Sequence, residues 1–321
     1  MLSEGRKRRC RVHRIAVGQA QQPGQRTPPC QEQSNLVTLT LAIPVIRRIV
    51  PRDTIGNGGE MSGEAELWGN APLELSLPSN RIDVWRVGLD TPEPSDRASC
   101  AVLSPDEISR AGRFHFPRDR VRFVECRTAL RNILGRYLRV SPAEIRFRYE
   151  KNGKPEIEHP QDSNGLRFNV SHSSGLAVIA VGMGCPVGVD IERFNREIEC
   201  VEIARRFFSK RESEALLEVS TSDRQRAFFA CWTRKEAFLK AIGEGISYSL
   251  SEFSVSVSPD DPPRLEEVHA DPHTVFRWSL RNLQPENGYL GTLAYERAPC
   301  QVEHWCWNGD WPRSKNTNAR L

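Results

Sequence analysis

Two stretches hold residues whose types and spacing could do chemistry: Gly188-Val189-Asp190-Ile191-Glu192, and further along Trp232-Thr233-Arg234-Lys235-Glu236-Ala237-Phe238-Leu239-Lys240. If the first is a strand, its period of two places Asp190 and Glu192 on one face, where two carboxylates repel unless a cation lies between them. If the second is a helix, Glu236 and Lys240 lie one turn apart on one side. Three acids and a lysine suit a Mg²⁺-dependent reaction on a pyrophosphate, which needs hard oxygen ligands, open positions for phosphate oxygens and a cation for developing charge.

Spacing alone also admits plainer readings. Glu236 and Lys240 could form a solvated ion pair worth a few tenths of a kcal/mol. Asp190 and Glu192 could be the wet face of an amphipathic edge strand. On a helical wheel Phe228, Cys231, Trp232, Phe238, Leu239 and Ile242 share a broad apolar face, with Lys235 near its middle. A buried lysine is costly unless paired, so Lys235 is expected to meet a carboxylate or a phosphate.

Two further motifs carry polar groups that could touch an anion. In Phe168-Asn169-Val170-Ser171-His172-Ser173 a strand runs into small polar residues, so His172 could donate to a phosphate with Ser171 beside it, or be an ordinary structural histidine. In Asn152-Gly153-Lys154-Pro155 the glycine permits close backbone approach and the lysine could reach an anion, or the segment is only a hairpin turn.

The elements that must position these groups follow from periodicity and turn signals. Residues 1–80 open on Arg6-Lys7-Arg8-Arg9, continue Gln- and Pro-rich and show no sustained period, so they read as a disordered N-terminal extension, with Met61 an alternative start. From residue 81 the order is a strand at 82–87, a helix opened by Ser104-Pro105-Asp106-Glu107, a longer helix at 118–139, then strands at 145–149, 167–171 and 177–181. The order then recurs: a strand at 188–192, helices at 201–208, 210–219 and 223–241, and strands at 253–257, 275–280 and 290–295. This is an α+β chain of two similar halves, 81–186 and 187–297. Residues 298–321, with Trp305, Trp307 and Trp311, read as an aperiodic tail packed back on the body.

Composition excludes some functions. Of 45 Lys and Arg and 41 Asp and Glu, 10 and 4 respectively fall in the first 60 residues, leaving a near-neutral body with no electrostatic case for nucleic-acid binding. No apolar run approaches the ~20 residues of a membrane span. Nine scattered cysteines without a CxxC pair fit a reducing cytoplasm rather than a disulfide framework or a zinc site.

These motifs, with Arg205-Arg206-Phe207-Phe208-Ser209, stand in the order and approximate spacing of a known family. The chain resembles the 4′-phosphopantetheinyl transferases of the large, surfactin-synthetase-activating type, over roughly residues 81–295. Its Lys-Glu-Ala form of the last motif resembles the broad-specificity branch rather than the enterobactin-type branch. The resemblance implies that the two halves pack as a pseudo-dimer with coenzyme A and Mg²⁺ in the cleft between them. It makes Asp190, Glu192 and Glu236 the Mg²⁺ ligands. It gives Lys154, Ser171 and His172 contacts to the nucleotide end of coenzyme A, places Lys240 at the pyrophosphate, and aligns Arg110 and Arg122 with basic residues for its phosphates. The match is looser there, since Glu107 and Phe123 stand where relatives carry lysine and a small hydroxyl residue.

The implied reaction moves phosphopantetheine to a serine of an acyl- or peptidyl-carrier protein. Asp190, Glu236 and Lys240 are the catalytic candidates, with Glu236 as base or metal ligand and Lys240 at the leaving phosphate. The implied protein is a cytoplasmic monomer meeting an acidic carrier, for which Arg205, Arg206, Lys210 and Arg211 form a candidate basic patch, or simply a solvated charged face. A Mg²⁺-dependent phosphohydrolase acting on coenzyme A or a nucleotide is the competing enzyme. A binding module with a basic N-terminal arm is the competing non-enzyme.

Overall fold

Hydrophobic alternation and capping signals account for most of the elements. The computed structural model describes residues 68–90, 100–160, 165–194, 198–245, 248–296 and 300–309, all in one compact unit. The Arg-rich opening, Met61 and Trp311 lie outside the described residues. A two-residue strand, β1 (Gly69–Asn70), precedes β2 (Arg81–Gly88). Ser104 and Glu107 form the expected capping box at the start of α1 (Pro105–Ala111), and Pro117 opens the long helix α2 (Pro117–Leu138). Strands β3 (Arg146–Tyr149) and β4 (Pro155–His159) make a hairpin through Asn152-Gly153, followed by β5 (Leu166–Ser173) and β6 (Leu176–Met183).

The second series starts at β7 (Val187–Arg193) and runs through α3 (Cys200–Phe207), α4 (Lys210–Glu218) and the long helix α5 (Arg224–Ile242). It ends with the pair β8 (Phe253–Val255) and β9 (Leu265–Val268), then β10 (Trp278–Leu283) and β11 (Tyr289–Glu296). A last strand, β12 (Gln301–Trp307), follows.

The strand order shows the repeat. One sheet runs β1-β12-β2-β6-β5 and another β10-β11-β7, so β2-β6-β5 and β7-β11-β10 are the same antiparallel arrangement of first, last and middle strand. Each unit packs its long helix on one face. Ala129, Leu130 and Ile133 of α2 meet Trp85, Ile179 and Val181, and Trp232, Phe238 and Leu239 of α5 share a core with Leu280 and Ala294. The remaining faces meet in a third cluster that joins Val84 and Val178 to Val189, Ile191 and Leu293. The result is an α+β layering of helix, sheet, sheet and helix.

Two expectations need correction. The segment read as an aperiodic tail contains β12, which lies parallel between β1 and β2, from Gln301 opposite Arg81 to Trp307 opposite Val87. Trp305 and Trp307 share one face while Val302, His304 and Cys306 fall on the other, so apolar residues on both faces erased the alternation a half-buried strand normally shows. Residues 68–80, assigned to the extension, also join the body: β1 pairs with β12, Leu75 is buried, and Trp68 Nε1 donates to the Gln284 carbonyl at 3.3 Å. A smaller shift occurs at 275–276, where a 3₁₀ turn (Pro272–Phe276), begun by Asp271 accepting from the His273 amide, replaces the first residues of the expected strand.

β12 also brings a histidine partly into the interior. His304 lies opposite Val84, its ring 5.0 Å from that of Trp68, and burial together with the Arg281 charge lowers its pKa from 6.5 to about 4. Between those two values the unfolded chain binds a proton that the folded chain rejects, so stability falls as pH drops through this window. Urea unfolding at pH 7.5 and pH 5 is expected to show a smaller acid-induced loss in His304→Phe than in the parent. Equal losses would remove His304 from the acid response.

Candidate active site

The site is built where the edge of one sheet meets the edge of the other. In β7 the amides of Val189, Ile191 and Arg193 point away from β11, toward β5. They are satisfied by side chains: Val189 N donates to Asn169 Oδ1 at 2.9 Å, Ile191 N to Ser171 Oγ at 3.3 Å and Arg193 N to Ser173 Oγ at 3.2 Å. An edge that would otherwise leave buried amides unpaired is thus closed by every second residue of β5.

Helix α5 lies directly over the other face of β7. A Cβ on Gly188 would overlap the carbonyl of Ala237 and the amide of Ala241, and would lie 2.8 Å from Ala241 Cα. Only glycine permits this approach, and it carries Glu236 and Lys240 over the face that presents Asp190 and Glu192. The helix end is fixed by the β3–β4 turn: Lys154 Nζ donates to the carbonyls of Lys240 at 2.7 Å and Ala241 at 3.1 Å, and Asn152 Nδ2 to those of Gly243 and Glu244. A lysine among the last carbonyls also complements the helix dipole. Gly243, at φ 77°, makes the left-handed cap.

The carboxylates sit in a low-dielectric setting beside the Lys240 cation. Asp190 is 5% exposed and Glu236 3%. Asp190 Oδ1 accepts from Lys240 Nζ at 2.7 Å and Ser171 Oγ at 2.9 Å, and Lys240 also donates to Ser171 Oγ at 3.0 Å. Asp190 Oδ2 is buried and accepts no hydrogen bond from a described residue. Burial raises the Asp190 pKa, opposed by Lys240 and Ser171. Burial raises that of Glu236 well above the usual carboxylate range, reinforced by the Asp190 and Glu192 charges and opposed by Lys240. Glu192, half-buried at the end of β7, accepts from Ser173 Oγ at 2.7 Å.

The structure therefore brings Asp190, Glu192, Glu236, Lys240 and Ser171 together. Lys154 stands next to them through the end of α5, and beside it a cavity of about 180 Å³ is lined by Glu150, Phe168, Val187, Ile242 and Gly243. His172 is exposed and, by strand alternation, on the opposite face of β5 from Ser171. Arg110 and Arg122 lie on α1 and α2. Arg110 stacks 5.4 Å from the Phe123 ring centre, and Arg122 holds Asp90 through two bonds of 2.6 and 2.7 Å. Glu107 is the buried partner of Arg127 and of Arg131 at 2.6 Å, so that position is committed to tying α1 to α2. Three members of the basic patch are paired with acids: Arg205 with Glu202, Lys210 with Glu214 and Arg211 with Glu266. Arg206 stacks on Phe207. Lys235 meets the expected carboxylate, donating to both oxygens of Glu212 at 2.6 and 2.7 Å and to the Phe253 carbonyl.

Asn169 and Ser173 were not singled out by the sequence reading. Their signal was the period-two Asn-x-Ser-x-Ser pattern, polar on one side of a strand that is otherwise apolar.

The donor set suits a hard divalent cation, since it offers carboxylate oxygens only, one of them buried without a partner, and an excess of negative charge. In this side-chain arrangement no three Asp, Glu, His or Cys residues among those described stand close enough to form a ready-made metal cluster.

Comparison with known proteins gives these features a family. Residues 91–183 match the family described as 4′-phosphopantetheinyl transferase, N-terminal, and residues 186–294 match the 4′-phosphopantetheinyl transferase superfamily. The chain is 38% identical over 238 residues to 4′-phosphopantetheinyl transferase HetI of Nostoc sp., covering 74% of this chain and 97% of that protein. It is 31% identical over 187 residues to 4′-phosphopantetheinyl transferase Sfp of Bacillus subtilis, covering 58% and 81%. It is 36% identical over 181 residues to psf-1 of Bacillus pumilus, covering 56% and 74%. The chain belongs to the 4′-phosphopantetheinyl transferase superfamily and is of the Sfp-like type.

Gly188→Ala is expected to lower stability by about 3 kcal/mol, because neither helix backbone nor strand can yield without repacking. Urea unfolding measures this, and a loss under about 1 kcal/mol would show that α5 can lift from β7.

Proposed function

We propose that this chain transfers the 4′-phosphopantetheine group of coenzyme A to a serine hydroxyl of an acyl- or peptidyl-carrier protein, releasing 3′,5′-ADP. The observation that carries the reading is the buried acidic group at the seam of the two sheets, with Asp190 Oδ2 unpartnered and Lys240 as its bonded cation. The serine oxygen attacks the β-phosphorus, a new P–O bond forms, and the bond to the bridging oxygen breaks so that its electrons leave with 3′,5′-ADP.

Asp190, Glu192 and Glu236 would hold Mg²⁺, which supplies neutralisation of the pyrophosphate oxygens when bound. Glu236 accepts the serine proton. It acts directly or through a water, since a general base must lie within hydrogen-bond reach of the proton it takes. Lys240 turns from Asp190 to the leaving phosphate, a small movement for a side chain already at the acid cluster. Lys154 and Ser171 line the approach to the nucleotide end of coenzyme A, with His172, Arg110 and Arg122 as outer phosphate contacts. The Asp90 carboxylate that now holds Arg122 is the group a phosphate would replace.

The same reading divides the body into 81–186 and 187–297 around the cleft. It makes the chain a monomer that meets an acidic carrier domain in the cytoplasm, with no role for nucleic acid or a membrane surface. The described cysteines Cys126, Cys185, Cys200, Cys231, Cys300 and Cys306 are free thiols, and among the described residues no helix is long and apolar enough to cross a membrane.

Incubation with apo-carrier, Mg²⁺ and coenzyme A, followed by intact-mass measurement, is expected to show the carrier gaining one phosphopantetheine. Asp190→Ala and Glu236→Gln should each slow this at least about a hundredfold while keeping a cooperative thermal transition. Consumption of coenzyme A without carrier modification would point to a hydrolase instead. Near-normal transfer by either variant would sink the assigned roles.

A further inference from the structure

The bonds between β5 and β7 repeat at every second residue and do more than close an edge. Ser171 Oγ accepts from the Ile191 amide and donates to Asp190; two residues on, Ser173 Oγ accepts from the Arg193 amide and donates to Glu192. Each hydroxyl is thus gripped by the backbone just after an acid and points its only proton at that acid. Asn169, bonded to the Val189 amide, adds a third rung that fixes the register. A one-residue slip would turn every one of these side chains to the wrong face.

We propose that Ser173 is a positioning residue for Glu192, and that the β5 edge acts as a ruler setting the two β7 carboxylates side by side. This rests on reading Asp190 and Glu192 as metal ligands. Glu192 needs such a guide more than Asp190 does, because it lies half-buried at the strand end, without the close cover that α5 gives Asp190. A carboxylate already held by a directed bond loses less freedom when it takes a cation. Partners of this kind are worth roughly 10–100-fold in metal affinity.

The test compares the full chain with Ser173→Ala and Ser173→Thr. Mn²⁺ binding is measured by electron paramagnetic resonance without coenzyme A or carrier, and transfer rate is measured against Mg²⁺ concentration. Ser173→Ala is expected to weaken Mn²⁺ binding about tenfold. It should raise the Mg²⁺ concentration for half-maximal transfer in parallel, with a smaller fall in the rate at saturating Mg²⁺. Ser173→Thr keeps the hydroxyl and should stay within about threefold of the parent on both measures. If Ser173→Ala does not fold, Ser173→Cys, with similar volume and a weak S–H donor, carries the same expectation.

Unchanged Mn²⁺ affinity in the hydroxyl-free variant overturns the proposal, as does an equal loss in Ser173→Thr, which would assign the effect to packing. A parent protein that binds no Mn²⁺ overturns it too. A parent that binds Mn²⁺ but modifies no carrier sinks the transferase reading instead, and the Mn²⁺ comparison then decides the role of Ser173.

Discussion

The site depends on one close approach, the backbone of α5 resting on β7 at Gly188. A side chain there would lift the helix and take Glu236 and Lys240 away from Asp190. Several features exist to keep that contact in register. Thr233 Oγ1 and Thr292 Oγ1 bond at 3.1 Å between α5 and β11, next to β7. Lys154 and Asn152 hold the helix end from the first half of the chain. Lys235 ties the helix, through Glu212, to the start of α4, where Glu212 also accepts from the amides of Ser209 and Val255. The acidic group is therefore a product of packing, and a mutation far from any carboxylate can dismantle it.

The treatment of buried charge separates scaffold from site. Glu107 is buried against two arginines and the Ser104 amide; Glu212 is buried against Lys235 and two amides. In both cases a lone acid is matched by cations and donors, which is how interior charge becomes tolerable. Arg234 shows the converse, an interior cation solvated by the carbonyls of Ser256, Ser258 and Asp261 and by Asn282, its pKa lowered to about 10 by burial. At the seam the balance differs. Asp190 and Glu236 are as buried as those acids, yet among the described residues Lys240 is the cation bonded to Asp190, one Asp190 oxygen has no hydrogen-bond partner, and Glu236 accepts no hydrogen bond. Two buried acids that share one bonded cation are a physical mark of a place that receives something positive.

Local chemistry made much of this legible in the sequence. The Ser104 and Glu107 capping box, the Asn152-Gly153 turn and the Asp-x-Glu strand each depend on residues a few positions apart, and each formed as the residue types dictate. Lys235 could be assigned a carboxylate partner because an apolar helix face allows little else. Which carboxylate it was could not be read, since Glu212 lies on another helix. The same limit hid β12, whose place between β1 and β2 is set by pairing across more than half the chain, and whose two faces both carry apolar residues, which obscures the period of two. It also hid the engagement of Lys154 with the α5 carbonyls. A lysine after a turn looks the same in sequence whether it meets water, an anion or a helix end.

The repeated topology explains why one half carries the acidic site and the other does not. β2 and β7 hold the same place in their three-stranded units, and each directs a buried aspartate at its long helix: Asp83 toward Tyr137 of α2, Asp190 toward Lys240 of α5. In the first unit the edge of β2 is closed by a whole strand, β12. Asp83 accepts from the Tyr137 hydroxyl at 2.6 Å and is paired with Arg81 at 2.9 Å, while burial raises its pKa. In the second unit the edge of β7 is closed by side chains of β5, which reach the backbone and the carboxylates together. A strand laid along β7 would have satisfied its amides and left no hydroxyls for Asp190 and Glu192. By closing one edge with backbone and the other with serines, the fold turns one aspartate into structure and leaves the other for chemistry.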